Sequence, residues 1–281
     1  MTKTIRTSKL SKFAAAAAGL MLSACCLWAQ AGGDRVAVPI SDPSRPVQLK
    51  AHLLNGGITV KGYDGKEVIV VARVRGSESS GSEGGMRRLQ INSTGLTVEE
   101  ENNQVRVSVD SVNRRTDLEI TVPRRTSLNL ATVNSGNIEV SDVEGEIDVN
   151  NTNGKVTLTN ISGSVVADAL NGRITATFSR VNPQKAMSFT SMNGTIDVTF
   201  PADLKANVSF RTENGQVLSD FEVDMQSGAP KQIVEDNRSN GGRYRVKIDK
   251  TVTGKINGGG PEIQFKNFNG SIIIRKAGNP I

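Results

Sequence analysis

Five glycines, Gly136, Gly145, Gly154, Gly163 and Gly172, stand nine residues apart, and this spacing constrains the fold more than any other feature of the chain. After each one, the second and fourth positions hold β-favouring or small apolar residues: Ile138 and Val140, Ile147 and Val149, Val156 and Leu158, Val165 and Ala167, Ile174 and Ala176. Residues two apart point to the same side of an extended chain, so each frame reads as a strand with one face inward. A further buried-type position recurs at the seventh place, with Val143, Thr152, Ile161 and Leu170. A unit repeated at fixed spacing stacks on its neighbours, because it cannot bury its apolar face alone.

The glycines fall into two phases. Gly154 and Gly172 follow asparagine, and Gly136 closes Asn134-Ser135-Gly136, whereas Gly145 and Gly163 follow Glu144 and Ser162. The spacing therefore predicts an eighteen-residue repeat made of two nine-residue halves. The Asn-Gly phase continues at Gly194, Gly215 and Gly270, with Ile196 and Val198, or Ile272 and Ile274, in the same frame. Spacing widens there, and the extra residues are expected near Asn182-Pro183-Gln184 and Pro201-Ala202-Asp203, since proline cannot join a central ladder.

A sharp corner calls for positive φ, which glycine adopts freely and asparagine tolerates. A hairpin meander and a parallel solenoid both use such corners. The two-phase repeat favours the solenoid, where same-phase residues lie above one another and stacked asparagines bond along the ladder. The expected fold is an all-β parallel β-solenoid. Its repeats span 126–276, irregular N-terminal strands over 47–125 cap it, 32–46 is a linker and 277–281 a tail. An open solenoid end would otherwise expose a strand edge.

Residues 1–31 read as an export signal. Lys3, Arg6, Lys9 and Lys12 precede an apolar run from Phe13 to Trp28, and Ala29-Gln30-Ala31 offers a cleavage site. A second possibility competes with the cut after Ala31: Leu22-Ser23-Ala24-Cys25 resembles a bacterial lipoprotein box, which would leave Cys25 lipidated. No later apolar run approaches the ~20 residues of a membrane span. The net charge of +6 loses four cations with the signal, which leaves a nearly neutral chain and argues against nucleic acid as a partner. Both cysteines leave with it too, so neither disulfides nor thiols are expected beyond Ala31.

Val122-Pro123, Leu128-Asn129-Leu130, the Asn-Gly-x-Ile/Val-x-Val repeats, Pro201-Ala202-Asp203-Leu204 and Arg211-Thr212-Glu213-Asn214-Gly215 together resemble the bacterial putative-adhesin family of unknown function. The likeness covers most of residues 50–275. It implies a right-handed parallel β-helix-like rod in the cell envelope, and its motifs carry no chemistry.

Chemistry is sparse. His52 is the only histidine, too few for the usual zinc sites or for a Ser-His or Cys-His nucleophile. Asp142, Asp148, Asp168 and Asp197, with Lys155 and Arg173, are the candidates for a polysaccharide-active enzyme, but Asp148 and Asp168 do not share a frame position, so no paired-carboxylate ladder emerges. Glu99-Glu100-Glu101 reads as a solvated strand end. Arg87-Arg88, Arg114-Arg115 and Arg124-Arg125 lack interleaved aromatics for stacking bases.

The sequence thus predicts an exported, non-catalytic envelope protein without cofactors, an adhesin-like surface, scaffold or interaction module. An envelope glycan or another envelope protein is the candidate partner, and Thr175, Thr195 and Asp197, with Lys155 and Thr157, are the outward contacts. The alternatives are a polysaccharide-active enzyme on the same rod and an envelope-stress accessory protein.

Overall fold

The computed structural model describes residues 33–75, 82–83, 86–87, 94–110, 114–225, 232–236, 244–248 and 251–278. The segment expected as an export signal, with Ala31 and Cys25, and most of the 77–85 loop lie outside them. The described residues belong to one compact unit, Gly32–Ile281, and every regular element among them is a strand.

Each coil of the solenoid gives one strand to each of two parallel ladders. In the first ladder Glu144–Asn153 pairs with the second half of Val156–Asn171, Gly145 opposite Gly163 and Ile147 opposite Val165. In the second, Ile138 pairs with Val156 and Val156 with Ile174. Neighbours in these pairs are eighteen residues apart, the repeat read from the two glycine phases. Where the spacing widens, Ile174 pairs with Ile196 and Ala167 with Phe189. The added residues form the loops around Asn182-Pro183-Gln184 and Pro201-Ala202-Asp203, as expected.

The core follows from the frame. All ten second- and fourth-position residues are buried, each at 2% exposure or less. The seventh position behaves differently. Val143 and Ile161 are buried, but Thr152 is half-buried and Leu170 is 44% exposed. The two halves of the repeat are therefore unlike: 143 and 161 turn inward at one corner, whereas 152 and 170 point outward beside the other.

The reason for the glycines also differs from the expectation. Among the eight marked glycines only Gly163 and Gly270 have positive φ, at 133° and 134°. The others are required because the next coil passes too close. A Cβ on Gly154 would lie 2.0 Å from the carbonyl oxygen of Gly136, on Gly172 1.8 Å from that of Gly154, and on Gly194 2.1 Å from that of Gly172. Gly136 would meet Gly56, Gly270 would meet Gly194, and Gly215 would meet Gly270 in the same way. These glycines form one column in which each occupies the space a side chain would take from the oxygen below. Gly145 and Gly163 lie in a second such pair, inside strands of the first ladder rather than at an Asn-Gly corner. Positive φ is used by Ser135 (53°) beside the glycine column and, at the opposite corner, by Asp142 (59°) and Asn160 (55°), where the Asn160 amide donates to Asp142 at 2.6 Å.

Beside the glycine column the preceding asparagines bond along the stack. Asn171 donates to Asn153 at 3.0 Å, Asn193 to Asn171 at 2.9 Å, Asn269 to Asn193 at 2.8 Å and Asn214 to Asn269 at 2.9 Å. Inside the corner, side chains of Asn151 and Asn267 donate to the carbonyls of Gly136 and Gly194. Asn171→Ala removes one donor and one acceptor from an exposed ladder and is expected to cost about 1 kcal/mol in urea denaturation.

The order of the coils is not the order of the chain. The last strands, Glu262–Asn269 and Ile272–Lys276, lie between Met187–Asn193 with Ile196–Phe200 on one side and Ala206–Asn214 with Val217–Ser219 on the other. At the other end Val47–Asn55 and Ile58–Tyr63 lie between Thr126–Asn134 with Ile138–Ser141 and the strands Gln104–Val109 and Arg115–Pro123. Part of 47–125 is thus an in-register coil. Antiparallel strands complete the two ends: Leu96–Glu101 and Glu67–Arg75 at one, Val252–Ile256 and Val223–Met225 at the other. Residues 32–46, expected as a linker, supply the strand Asp34–Pro39, antiparallel to Glu67–Arg75. Among the described residues each ladder holds eight parallel strands, which at ~4.8 Å per coil makes a stack roughly 35 Å tall.

The N-terminal end is pinned by carboxylates. Asp34 accepts from the backbone and hydroxyl of Thr94, Asp42 from Ser44, and Glu100 from Ser41 and the Asn103 amide. These bonds hold all three pKa values below the ordinary carboxylate range. Their folded values lie below their unfolded ones, so the stabilisation is complete above the unfolded value and is lost as pH falls through the folded one. Protection of the Asp34–Pro39 amides against hydrogen exchange, relative to the intrinsic rate at each pH, is expected to fall below about pH 4, and Asp34→Asn to reduce that acid dependence.

Candidate interaction faces

In each strand the residues between core positions point outward, so the register stacks them in columns. On the first ladder one column runs Lys50, Asn129, Asp148, Val166, Ser188, Gln264, and the next runs His52, Ala131, Asn150, Asp168, Thr190, Lys266, Arg211. The loop at 182–186 rises beside these strands and helps enclose an open groove of about 490 Å³, lined by Gln48, Lys50, Ser127, Asn129, Glu146 and Asp148 among others. Lys185, on that loop, pairs with Glu146 at 3.0 Å across the groove.

His52 sits at the edge of this groove, exposed. Its Nε2 is 2.7 Å from Oδ1 of Asn129, whose Nδ2 donates to Asp148 at 2.9 Å. The Asn129 amide nitrogen is turned toward Asp148 and its oxygen toward His52, and because an amide oxygen only accepts, Nε2–H is the donor. Asn150 also donates to Asp148, at 3.3 Å. The result is a hydrogen-bonded chain across three coils, a feature that the sequence could have shown only once the register of residue 52 with 131 was known.

The candidate carboxylates do not converge. Asp148 and Asp168 share the first ladder's face but are staggered, Asp148 opposite Val166 and Asp168 opposite Asn150. Asp142 lies at the corner with Asn160. Asp197 is on the second ladder, where Arg275 binds it through two nitrogens at 2.8 and 3.3 Å. That bond raises the pKa of Arg275. Among the described residues no cluster of three or more His, Cys, Asp or Glu side chains is arranged to hold a metal. Glu99 lies 4.0 Å from Arg106, and Glu100 serves the N-terminal end. Arg124 pairs with Asp64 at 2.8 Å, and Arg115 lies 3.9 Å from Asp117.

The expected contact residues Thr157, Thr175 and Asp197 form one column of the second ladder, with Lys155 and Thr195 beside the glycine corner. They face away from the core and are half-buried or exposed. What sequence reasoning missed is the outward row next to the Asn ladder on the first ladder's face. There Leu54, Val133, Leu170, Met192 and Phe268 are exposed at 39–47%. The register places them, with Thr152, in one column.

Residues 48–257 match the model of the Toastrack DUF4097 family. The chain belongs to this family. The Toastrack match spans the coils from Val47–Asn55 through Ala206–Asn214 and stops short of the inserted C-terminal coil. The structure is also similar to the crystal structure of a putative cell adhesion protein from Clostridium sporogenes, at 10% identity and a TM-score of 0.40, over 87% of this chain and 99% of that one. No curated protein matches the Toastrack chain in sequence. Among the described residues no helix is long and apolar enough to cross a membrane.

Proposed function

We propose that this Toastrack chain is an exported, non-catalytic interaction module of the bacterial cell envelope, an adhesin-like scaffold that presents flat, rigid faces to a glycan or to another envelope protein. The observation that supports this reading is the periodic outer surface: polar side chains in columns at the ~4.8 Å coil spacing, held by paired strands on both sides. The groove from Gln48 to Asp148 is the place for a sugar chain, since its amides, hydroxyls and carboxylates match the donors and acceptors of a polyol and Val166 and Ala186 offer apolar contact for a ring face. The basic start and Ala29-Gln30-Ala31 support export, and the same segment keeps Cys25 as a lipid site.

Incubating the purified chain with a panel of neutral and acidic envelope glycans is expected to show binding without turnover. Asn129→Ala should weaken that binding at least ~5-fold by removing the centre of the His52–Asp148 chain. Release of shortened or unsaturated sugars would overturn the non-catalytic reading. Mass spectrometry of the chain recovered from cells decides between an N-terminus at Gly32 and a lipidated Cys25, and an unprocessed Met1 would overturn export.

A further inference from the structure

A row of exposed apolar side chains running up a β-face needs a partner, because water-exposed apolar columns of this extent mark contact surfaces. Along the stack the row reads Leu54, Val133, Thr152, Leu170, Met192 and Phe268, and ends at Glu213. The neighbouring column on the same face reads Asn150, Asp168, Thr190, Lys266 and Arg211 over the last five of these coils. Thr190 and Met192 lie on the middle coil of the five. One coil to one side are Asp168 and Leu170, and one coil to the other are Lys266 and Phe268. Two coils out, Asn150 and Thr152 stand against Arg211 and Glu213.

This arrangement is complementary to itself. We propose that two copies of the chain associate face to face through this surface, about a two-fold axis lying along the strand Met187–Asn193. The rotation lays Met192 on Met192 of the second copy once, at the axis, and sets Leu170 on Phe268, Asp168 opposite Lys266 and Asn150 opposite Arg211, each of these off-axis pairs occurring twice as a two-fold contact requires. Among the described residues neither Asp168 nor Lys266 makes an ion pair within its own chain. Moving the axis one coil either way would set Asp168 on Asp168 or Lys266 on Lys266, so charge selects the middle coil. Five coils of ~4.8 Å and about 20 Å of strand bury roughly 1,000 Å² in total, the lower end for a specific interface. The dimer is therefore weak and concentration-dependent, suited to a surface where copies are crowded. The footprint takes in Asp148 and Val166, which also line the groove, so a bound glycan and the second copy would compete for this face.

Sedimentation velocity over a concentration series tests it. The purified chain is expected to pass from monomer to dimer with a dissociation constant between about 10 and 500 µM. Lys266→Asp should raise that constant at least ~10-fold, and the double swap Asp168→Lys with Lys266→Asp should restore it. Phe268→Ser should also raise it, while Thr157→Ser on the other ladder should not. All four sites are on the surface, and unchanged thermal unfolding shows that each variant is folded. In a background with Cys25→Ser and Cys26→Ser, Met192→Cys should form an intermolecular disulfide that Thr157→Cys does not. A chain that stays monomeric throughout, that floats with phosphatidylglycerol vesicles as a monomer, or whose dimer is not restored by the double swap overturns the proposal.

Discussion

Gly154→Ala is expected to prevent folding, a far larger effect than a single added methyl has on most surfaces. The new Cβ would lie 2.0 Å from the Gly136 carbonyl oxygen and 3.0 Å from Nδ2 of Asn151. Relief by backbone movement would have to separate two coils whose strands are hydrogen-bonded on either side of the corner. The Gly136 carbonyl is also the acceptor for Asn151 and lies within 3.4 Å of the Thr132 hydroxyl, so displacement strands two buried donors. Overlap and lost hydrogen bonds together exceed about 4 kcal/mol, a large share of the roughly 5–15 kcal/mol that keeps an ordinary domain folded. Far-UV circular dichroism and solubility of the variant would show it; a folded Gly154→Ala protein with an unchanged melting temperature would refute the packing explanation. Gly154→Val adds bulk to the same overlap. Gly81, the natural neutral comparison in the Ser77–Gly85 loop, lies outside the described residues.

The second large effect is expected from Phe265→Ala. Phe265 is fully buried in the inserted coil. Its ring stacks between Phe189 at 5.3 Å and Phe210 at 5.5 Å, and meets Phe200 edge-on at 6.5 Å. Phe178 continues the cluster through Phe200 at 5.1 Å. Truncation opens a cavity bounded by paired strands that cannot collapse inward, so the cost should fall at about 3–5 kcal/mol. Urea denaturation measures it. Val149, at the same kind of fourth position but among aliphatic neighbours, should lose less on truncation to Ala because fewer atoms are removed.

These two residues also mark how far the sequence was legible. The second and fourth positions after each glycine announced their burial, since alternation in a strand depends only on local chain geometry. The eighteen-residue register followed from the two glycine phases for the same reason. Leu170 misled because the nine-residue halves were given equivalent seventh positions, while the two corners turn their side chains in opposite senses. The glycines were expected for their φ, which is a property of one residue, whereas the clash that excludes a Cβ depends on how closely the next coil passes. Coil order was illegible altogether. The Asn269-Gly270 frame would fit any open end of either ladder, and its place beside Met187–Asn193 is decided by which neighbour matches its rings, Phe265 with Phe189. The staggered face of Asp148 and Asp168 could be anticipated from the frame, but the apolar row from Leu54 to Phe268 needed the register of six strands before it became one surface.

The inserted coil has a consequence for how the protein is made. A polypeptide emerges N-terminus first, whether from a ribosome or through a membrane pore, so residues 187–200 and 206–219 are both delivered before the segment that must lie between them. Until residue 276 has emerged, these two segments either wait with exposed ladder edges or pair with each other and must part again. Assembly therefore finishes like a drawer pushed in last, and a chain stopped before residue 262 would be left with a gap in its middle rather than merely a shorter end.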